Sequence, residues 1–443
     1  MRFFFTLCCL ALLSTTTVRG QLNKIEYQEY DLANGLHVIL HQDKSTPIVA
    51  VSVMYHVGSK NENPERTGFA HFFEHLMFEG SDNIGRGEYD KYVQNAGGTL
   101  NANTTFDRTY YFEVLPSNQL ALGLWLESER MLHAKVDEKG IETQRQVVKE
   151  ERRQRIDNQP YGSILEETFK RAYTNHPYHW PVIGSMAHLE AAEENDYKQF
   201  YKDFYVPNNA VLSIAGDIDF DEAKKWIDQY FSGIPKSAQA VYRPRVIEPN
   251  LPHEIRDTVF DNIQLPAVVQ AYRIPAQGTK DYYAVDMVSR LLSSGESSRF
   301  YRALVDEQQK ALFVGNFPLA LEDPGVSLCF GITNMGVSVS DLEQGMDKEV
   351  MKVQNELMSE TEFEKLRNQI EAEYVTSNSR VSGIAESLAT YYMFFGDASL
   401  INNEINRYLA VTREDIQAAA KKYLVPSNRV VLYYLPKSLD TKS

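Results

Sequence analysis

The chain has 443 residues, more than one ordinary hydrophobic core organises, so two domains of roughly 200 residues each are expected. Its 43% hydrophobic, 12% aromatic and 24% charged residues exclude a disordered or low-complexity protein. A formal charge of −15 excludes nucleic acid as a partner, because no basic excess offsets phosphate repulsion.

The first predicted element is a secretory leader over residues 1–20. Arg2 precedes an apolar run from Phe3 to Leu13, followed by a Ser/Thr stretch and Val18-Arg19-Gly20, with cleavage expected before Gln21. A run of about eleven residues is too short to span a bilayer comfortably. No later segment is apolar for long enough either, so the mature chain is expected to be exported and without a transmembrane segment, an uncleaved anchor being the alternative. Losing Arg2 and Arg19 takes the charge from −15 to −17. Losing Cys8 and Cys9 leaves Cys329, inside the apolar run Val326–Gly331, where a thiol reads as a buried strand residue.

Strand-like text follows: Leu36–Leu40 after the turn residues Asn34-Gly35, then an alternating stretch from Ile48 to Val57. His71-Phe72-Phe73-Glu74-His75 comes next. On a helix, residues four apart share a face, so both imidazoles reach one metal ion, and Glu74 projects beside them as a base for a metal-activated water.

Catalytic zinc takes three protein ligands, so a third is needed. A helix is predicted over residues 136–156, where Ile141, Gln144, Val148 and Glu151 fall on one face. That spacing points Glu151 inward in preference to Glu150. Taken by itself, the stretch also fits a solvated charged face with Arg152, Arg153 and Arg155. His176 and His179 lie beside prolines in a loop that Tyr178 and Trp180 are expected to pack.

Asp196–Ile214 and Asp415–Tyr433 repeat the same plan 219 positions apart: a helical stretch, a Val-Pro-x-Asn turn and an apolar strand. A proline-bearing linker separates the two copies. The expected boundaries are residues 21–232 for a first domain, 233–256 for the linker and 257–443 for a second domain. Aligning Gly80 with Gly295 sets His71, Glu74 and His75 opposite Asp286, Ser289 and Arg290, so only the first half keeps the metal kit.

His71-x-x-Glu74-His75 between Gly68 and Gly80, with Glu151 76 positions after His75, resembles the inverted-motif zinc peptidases of the pitrilysin, insulysin and mitochondrial-processing-peptidase group. Gly97-Gly98-x-x-Asn101-Ala102, Thr109-x-Tyr111, Pro116 and Asp157-Asn158-x-Pro160 extend the resemblance. It implies an α+β fold of two tandem homologous α/β domains, each a mainly antiparallel sheet with helices packed on it, facing each other across the linker. It implies zinc held by His71, His75 and Glu151, with Glu74 as general base of a metalloendopeptidase. Gln144, where many members carry Glu, is implied to support the ligands by hydrogen bonding. Asn101 and Ala102 are implied to border the strand edge on which an extended peptide or unfolded polypeptide is laid.

Members of the group offer an Arg and a Tyr from the second half to the substrate. Arg299 matches the first, whereas Leu312 or Phe313 stands at the second and carries no hydroxyl. The resemblance to short exported bacterial members therefore implies a periplasmic site and a homologous subunit that supplies the Arg/Tyr pair. The competing expectation is a non-catalytic exported subunit that captures peptides or stabilises a complex.

Overall fold

The computed structural model describes residues 24–439; the leader segment, with Cys8 and Cys9, lies outside the described residues. Apolar alternation builds two sheets. The first has strands β1 (Gln28–Asp31), β2 (His37–Gln42), β3 (Ile48–Tyr55), β4 (Thr99–Thr104), β5 (Thr109–Pro116) and β6 (Ala210–Gly216), in the spatial order β1-β2-β6-β3-β5-β4. The second has β7 (Ile255–Asp261), β8 (Ala267–Arg273), β9 (Ala311–Leu319), β10 (Val326–Thr333) and β11 (Arg429–Pro436), in the order β7-β11-β8-β10-β9.

Without β1 the two orders are the same. Each sheet has one parallel pair, β2 with β6 and β7 with β11, and is otherwise antiparallel. The fold is thus α+β with two sheets of one plan. The repeated Val-Pro-x-Asn turn has a shared physical cause: Asn209 Nδ2 donates to Phe204 O and Asn428 Nδ2 to Tyr423 O, both at 2.8 Å. Each amide satisfies a carbonyl left over at a helix C-terminus before the chain re-enters its sheet.

One face of the first sheet buries Val38, Val51 and Tyr111 against helices of its own half, among them α1 (Phe69–Leu76) and α3 (Leu120–His133), with α2 (Tyr89–Asn95) between them in the chain. The opposite face buries Ile39, Ala50, Met54 and Tyr110 under the helix Val381–Phe395, which comes from the second half. The arrangement is reciprocal. Val269, Ala271 and Leu432 of the second sheet lie under Ile164, Phe169 and Ala172 of the helix Ile164–Ala172, from the first half.

Cys329 is fully buried in β10, where burial pushes its thiol pKa up. Between Phe231 and Ile255 there is neither helix nor strand. Among the described residues no helix is long and apolar enough to cross a membrane.

Candidate metal centre

α1 is a short helix whose start is built with care. Gly68 takes φ 95°, and a side chain there would meet Ile183 O at 2.7 Å. The buried Glu62 carboxyl accepts from Gly68 N and Ala70 N, both at 2.8 Å, and so satisfies donors the helix leaves free. Burial pushes the Glu62 pKa up to about 8, against the pull of those N–H groups. Phe69, Phe72 and Phe73 lock the other side of the helix against Tyr197, Phe200 and Tyr205. His71 and His75 are left on the face turned towards α4 (Glu138–Arg152).

α4 begins at Asp137, whose Oδ1 accepts from Gly140 N at 2.8 Å, and it buries Ile141 and Val148. The helix ends at Arg152 and continues as a π turn over Arg153–Asp157. Glu151 falls on the Val148 side, 15% exposed, while Glu150 lies outside with Arg153 and Gln154. Glu151 Oε2 stands 3.2 Å from His75 Nε2 and 3.6 Å from His71 Nε2, and the three ligand atoms lie within 4.8 Å of one another.

Two ligands on a tetrahedral zinc ion at about 2.1 Å are separated by about 3.4 Å. The two separations from Glu151, 3.2 and 3.6 Å, therefore match those of zinc ligands. Glu151 Oε2 is buried and has no hydrogen-bond partner, whereas Oε1 is held by Arg155 at 2.7 Å. A buried carboxylate oxygen without a donor fits a cation in that position. Burial, aided by His75, pushes the His71 pKa down to about 4, so its ring is neutral near pH 7 and its lone pair is free to ligate. Contact with His75, then the charges of His71 and Arg155, holds Glu151 below its ordinary value against burial.

Glu74 lies beside this set, and its Oε2 accepts from Thr104 Oγ1 on β4 at 2.7 Å. Burial raises its pKa, opposed first by that hydrogen bond. Thr104 carried no signal beyond its place two residues after Ala102, which puts both on one face of a strand. Asn101 and Ala102 also lie on β4, the last strand of its sheet, paired on one side only, with β5. Asn101 Oδ1 accepts from Ala102 N at 2.9 Å.

Gln144 Nε2 donates to Glu79 Oε1 at 2.6 Å. Glu79 also pairs with Arg86, which reaches the cap residue Asp137 at 2.8 Å, so one polar strap ties the exit of α1 to the entrance of α4.

Other residues singled out by sequence stand elsewhere. Arg299 donates from Nε and Nη2 to the two oxygens of Glu362, at 3.0 and 3.1 Å. Leu312 and Phe313 are exposed on β9. At the positions matching the two histidines, Asp286 and Arg290 pair with each other at 2.8 Å. Tyr178 is buried and donates to Asp107 at 2.7 Å, while Trp180 Nε1 donates to Ser59 O at 2.8 Å.

Comparison with known proteins places these features. Residues 37–185 match the model described as Insulinase (Peptidase family M16), and residues 192–370 the model described as Peptidase M16 inactive domain. The chain is 30% identical over 414 residues to the zinc protease PqqE of Helicobacter pylori, covering 93% of each chain. It is 23% identical over 409 residues to the probable mitochondrial-processing peptidase subunit beta of Schizosaccharomyces pombe, covering 89% of this chain and 88% of that one. Among solved structures, a protease from Helicobacter pylori is similar with a TM-score of 0.89 at 29% identity, over 93% of this chain and 100% of the other. The periplasmic protease PqqL from Escherichia coli is similar in fold with a TM-score of 0.76 at 17% identity, over 95% of this chain and 49% of the other.

Proposed function

Because this chain belongs to the M16 peptidase family, with relatives named as zinc proteases, we propose that it is a zinc-dependent endopeptidase cleaving extended peptides or unfolded protein segments. The observation that carries the reading is the unpartnered Glu151 Oε2 with two imidazole nitrogens at 3.2 and 3.6 Å and Glu74 alongside. His71, His75 and Glu151 would hold the metal. Zinc bound there supplies Lewis-acid polarisation of water and of the scissile carbonyl.

Glu74 takes a proton from the attacking water on the oxygen that Thr104 leaves free, then delivers it to the leaving amine. Its partly buried setting raises its basicity for that exchange. The free edge of β4, with Asn101 and Ala102, offers backbone donors and acceptors to a peptide in extended form, so selection would rest on shape more than on side chains. Gln144 steadies the two helices through Glu79. Thr104→Val should lower kcat about tenfold and Thr104→Ser should restore it, on the scale of one charge-assisted hydrogen bond; equal kcat in all three proteins would remove Thr104 from the chemistry.

The reading divides the chain into a catalytic unit over residues 21–232, a linker over 233–256 and a second unit over 257–443 without a metal site. It includes export to the periplasm, supported by the leader text and by the periplasmic relative of like fold. It also includes a homologous subunit. Arg299 is occupied by Glu362 and no hydroxyl stands at Leu312 or Phe313, so the group that would meet the oxyanion comes from a second chain; PqqL, of which this chain covers 49%, is long enough to carry two such units. Zinc content of the purified mature chain, with peptide cleavage measured alone and after adding a homologous subunit, tests this. One zinc per chain and cleavage that requires the partner is expected. A zinc-free chain that still binds peptide would establish the competing reading, a capture subunit.

A further inference from the structure

The loop joining β4 to β5 carries Arg108, a largely buried cation to which no role has been given above. Its Nη1 donates to Asn103 Oδ1 at 2.5 Å and its Nη2 to Glu386 Oε1 at 2.7 Å, and the guanidinium lies 5.2 Å from the Tyr110 ring centre. The side chain is 14% exposed. Glu386 belongs to the helix Val381–Phe395, which reaches across from the second half.

Adjacent strand residues face opposite sides of a sheet. Asn103 stands opposite Tyr110 in the ladder and faces the helix side with it, while Thr104 faces Glu74. Whatever pins Asn103 therefore also sets the orientation of Thr104. β4 needs such a pin, because only β5 flanks it and an edge strand with one neighbour twists and frays more readily than an inner one.

We infer that Arg108 and Glu386 are positioning residues, a clamp by which the second half holds the end of β4 flat and correctly turned for an incoming peptide strand. The inference rests on the peptidase reading for its purpose, though not for its geometry. Burial pulls the Arg108 pKa down, and the negative charge of Glu386 is the main influence opposing this. Arginine suits the task because its planar fork reaches two acceptors at once, which a lysine ammonium on a flexible stem does not do in a fixed geometry. Glu386 is 41% exposed, so the pair contributes more to orientation than to overall stability.

Hydrogen exchange of the full-length mature protein, metal-free and zinc-loaded, together with KM and kcat for an extended peptide in the presence of its partner subunit, tests the clamp. In Glu386→Ala and Arg108→Lys, exchange in residues 99–104 should quicken about tenfold while β2 and β6 stay protected, and KM should rise about tenfold with kcat within about twofold. Glu386→Asp should recover part of both effects. Unchanged exchange in β4, or an equal loss of protection in β2, β3 and β6, would overturn the clamp; the second pattern belongs to a contact that merely joins the halves. If the parent protein cleaves nothing, the peptidase reading fails while the exchange of the metal-free chain still decides the clamp.

Discussion

Glu74→Gln is expected to lower kcat by about 10³-fold or more, the scale of a positioned general base, while zinc stays bound at one per chain. Glutamine keeps the shape of glutamate, and its carbonyl oxygen still accepts the Thr104 hydroxyl hydrogen that Glu74 Oε2 now takes. What it loses is the capacity to carry a proton from water to the leaving nitrogen. The three residues with ligand atoms inside 4.8 Å are untouched, so metal content measured by atomic emission should match the parent. Turnover within about tenfold of the parent in a zinc-replete variant would take proton transfer away from Glu74.

The second large effect concerns folding. A chain ending before the linker is expected not to fold alone. Ile39, Ala50, Met54, Tyr110, Val211 and Ala215 of the first sheet, each no more than 3% exposed, are covered by a helix that such a chain lacks. Uncovering them costs about 8 kcal/mol at the usual value per buried apolar side chain, as large as the whole stability of a typical domain. Residues 24–232 alone should give a poorly dispersed NMR spectrum and bind no zinc, and supplying residues 257–439 as a separate chain should restore both. A dispersed spectrum with bound zinc from the first piece by itself would show that the covering helix is dispensable.

How much of this was legible depended on how local each cause is. The helical spacing of His71 and His75, the apolar face carrying Ile141, Val148 and Glu151, and the Val-Pro-x-Asn turns all act within one or two turns of chain. Their physics is present in short text. Thr104 meets Glu74 from 30 positions away and Glu386 meets Arg108 from 278, so neither pair leaves a periodic trace.

Arg299 shows the opposite case. The resemblance implied for it a group offered to substrate, and in the structure Glu362, 63 positions on, accepts from both Nε and Nη2 of its guanidinium. Glu362 is also the last member of the capping box that Ser359 opens. The α+β plan was implied by the family resemblance, while the exchange of covering helices was not legible, because amphipathic text does not say whose sheet it covers.

The matching strand orders and the reciprocal covering helices carry an implication for how such a molecule holds together. A single copy of the repeat would display one bare sheet face and one helix with nowhere to lie. Two copies related by a twofold axis settle both at once, each lending its helix to the other. The tandem chain thus has the build of a self-complementary dimer on one polypeptide. Only the first half carries the histidines, and in the second Asp286 and Arg290 pair with each other at the aligned helical positions.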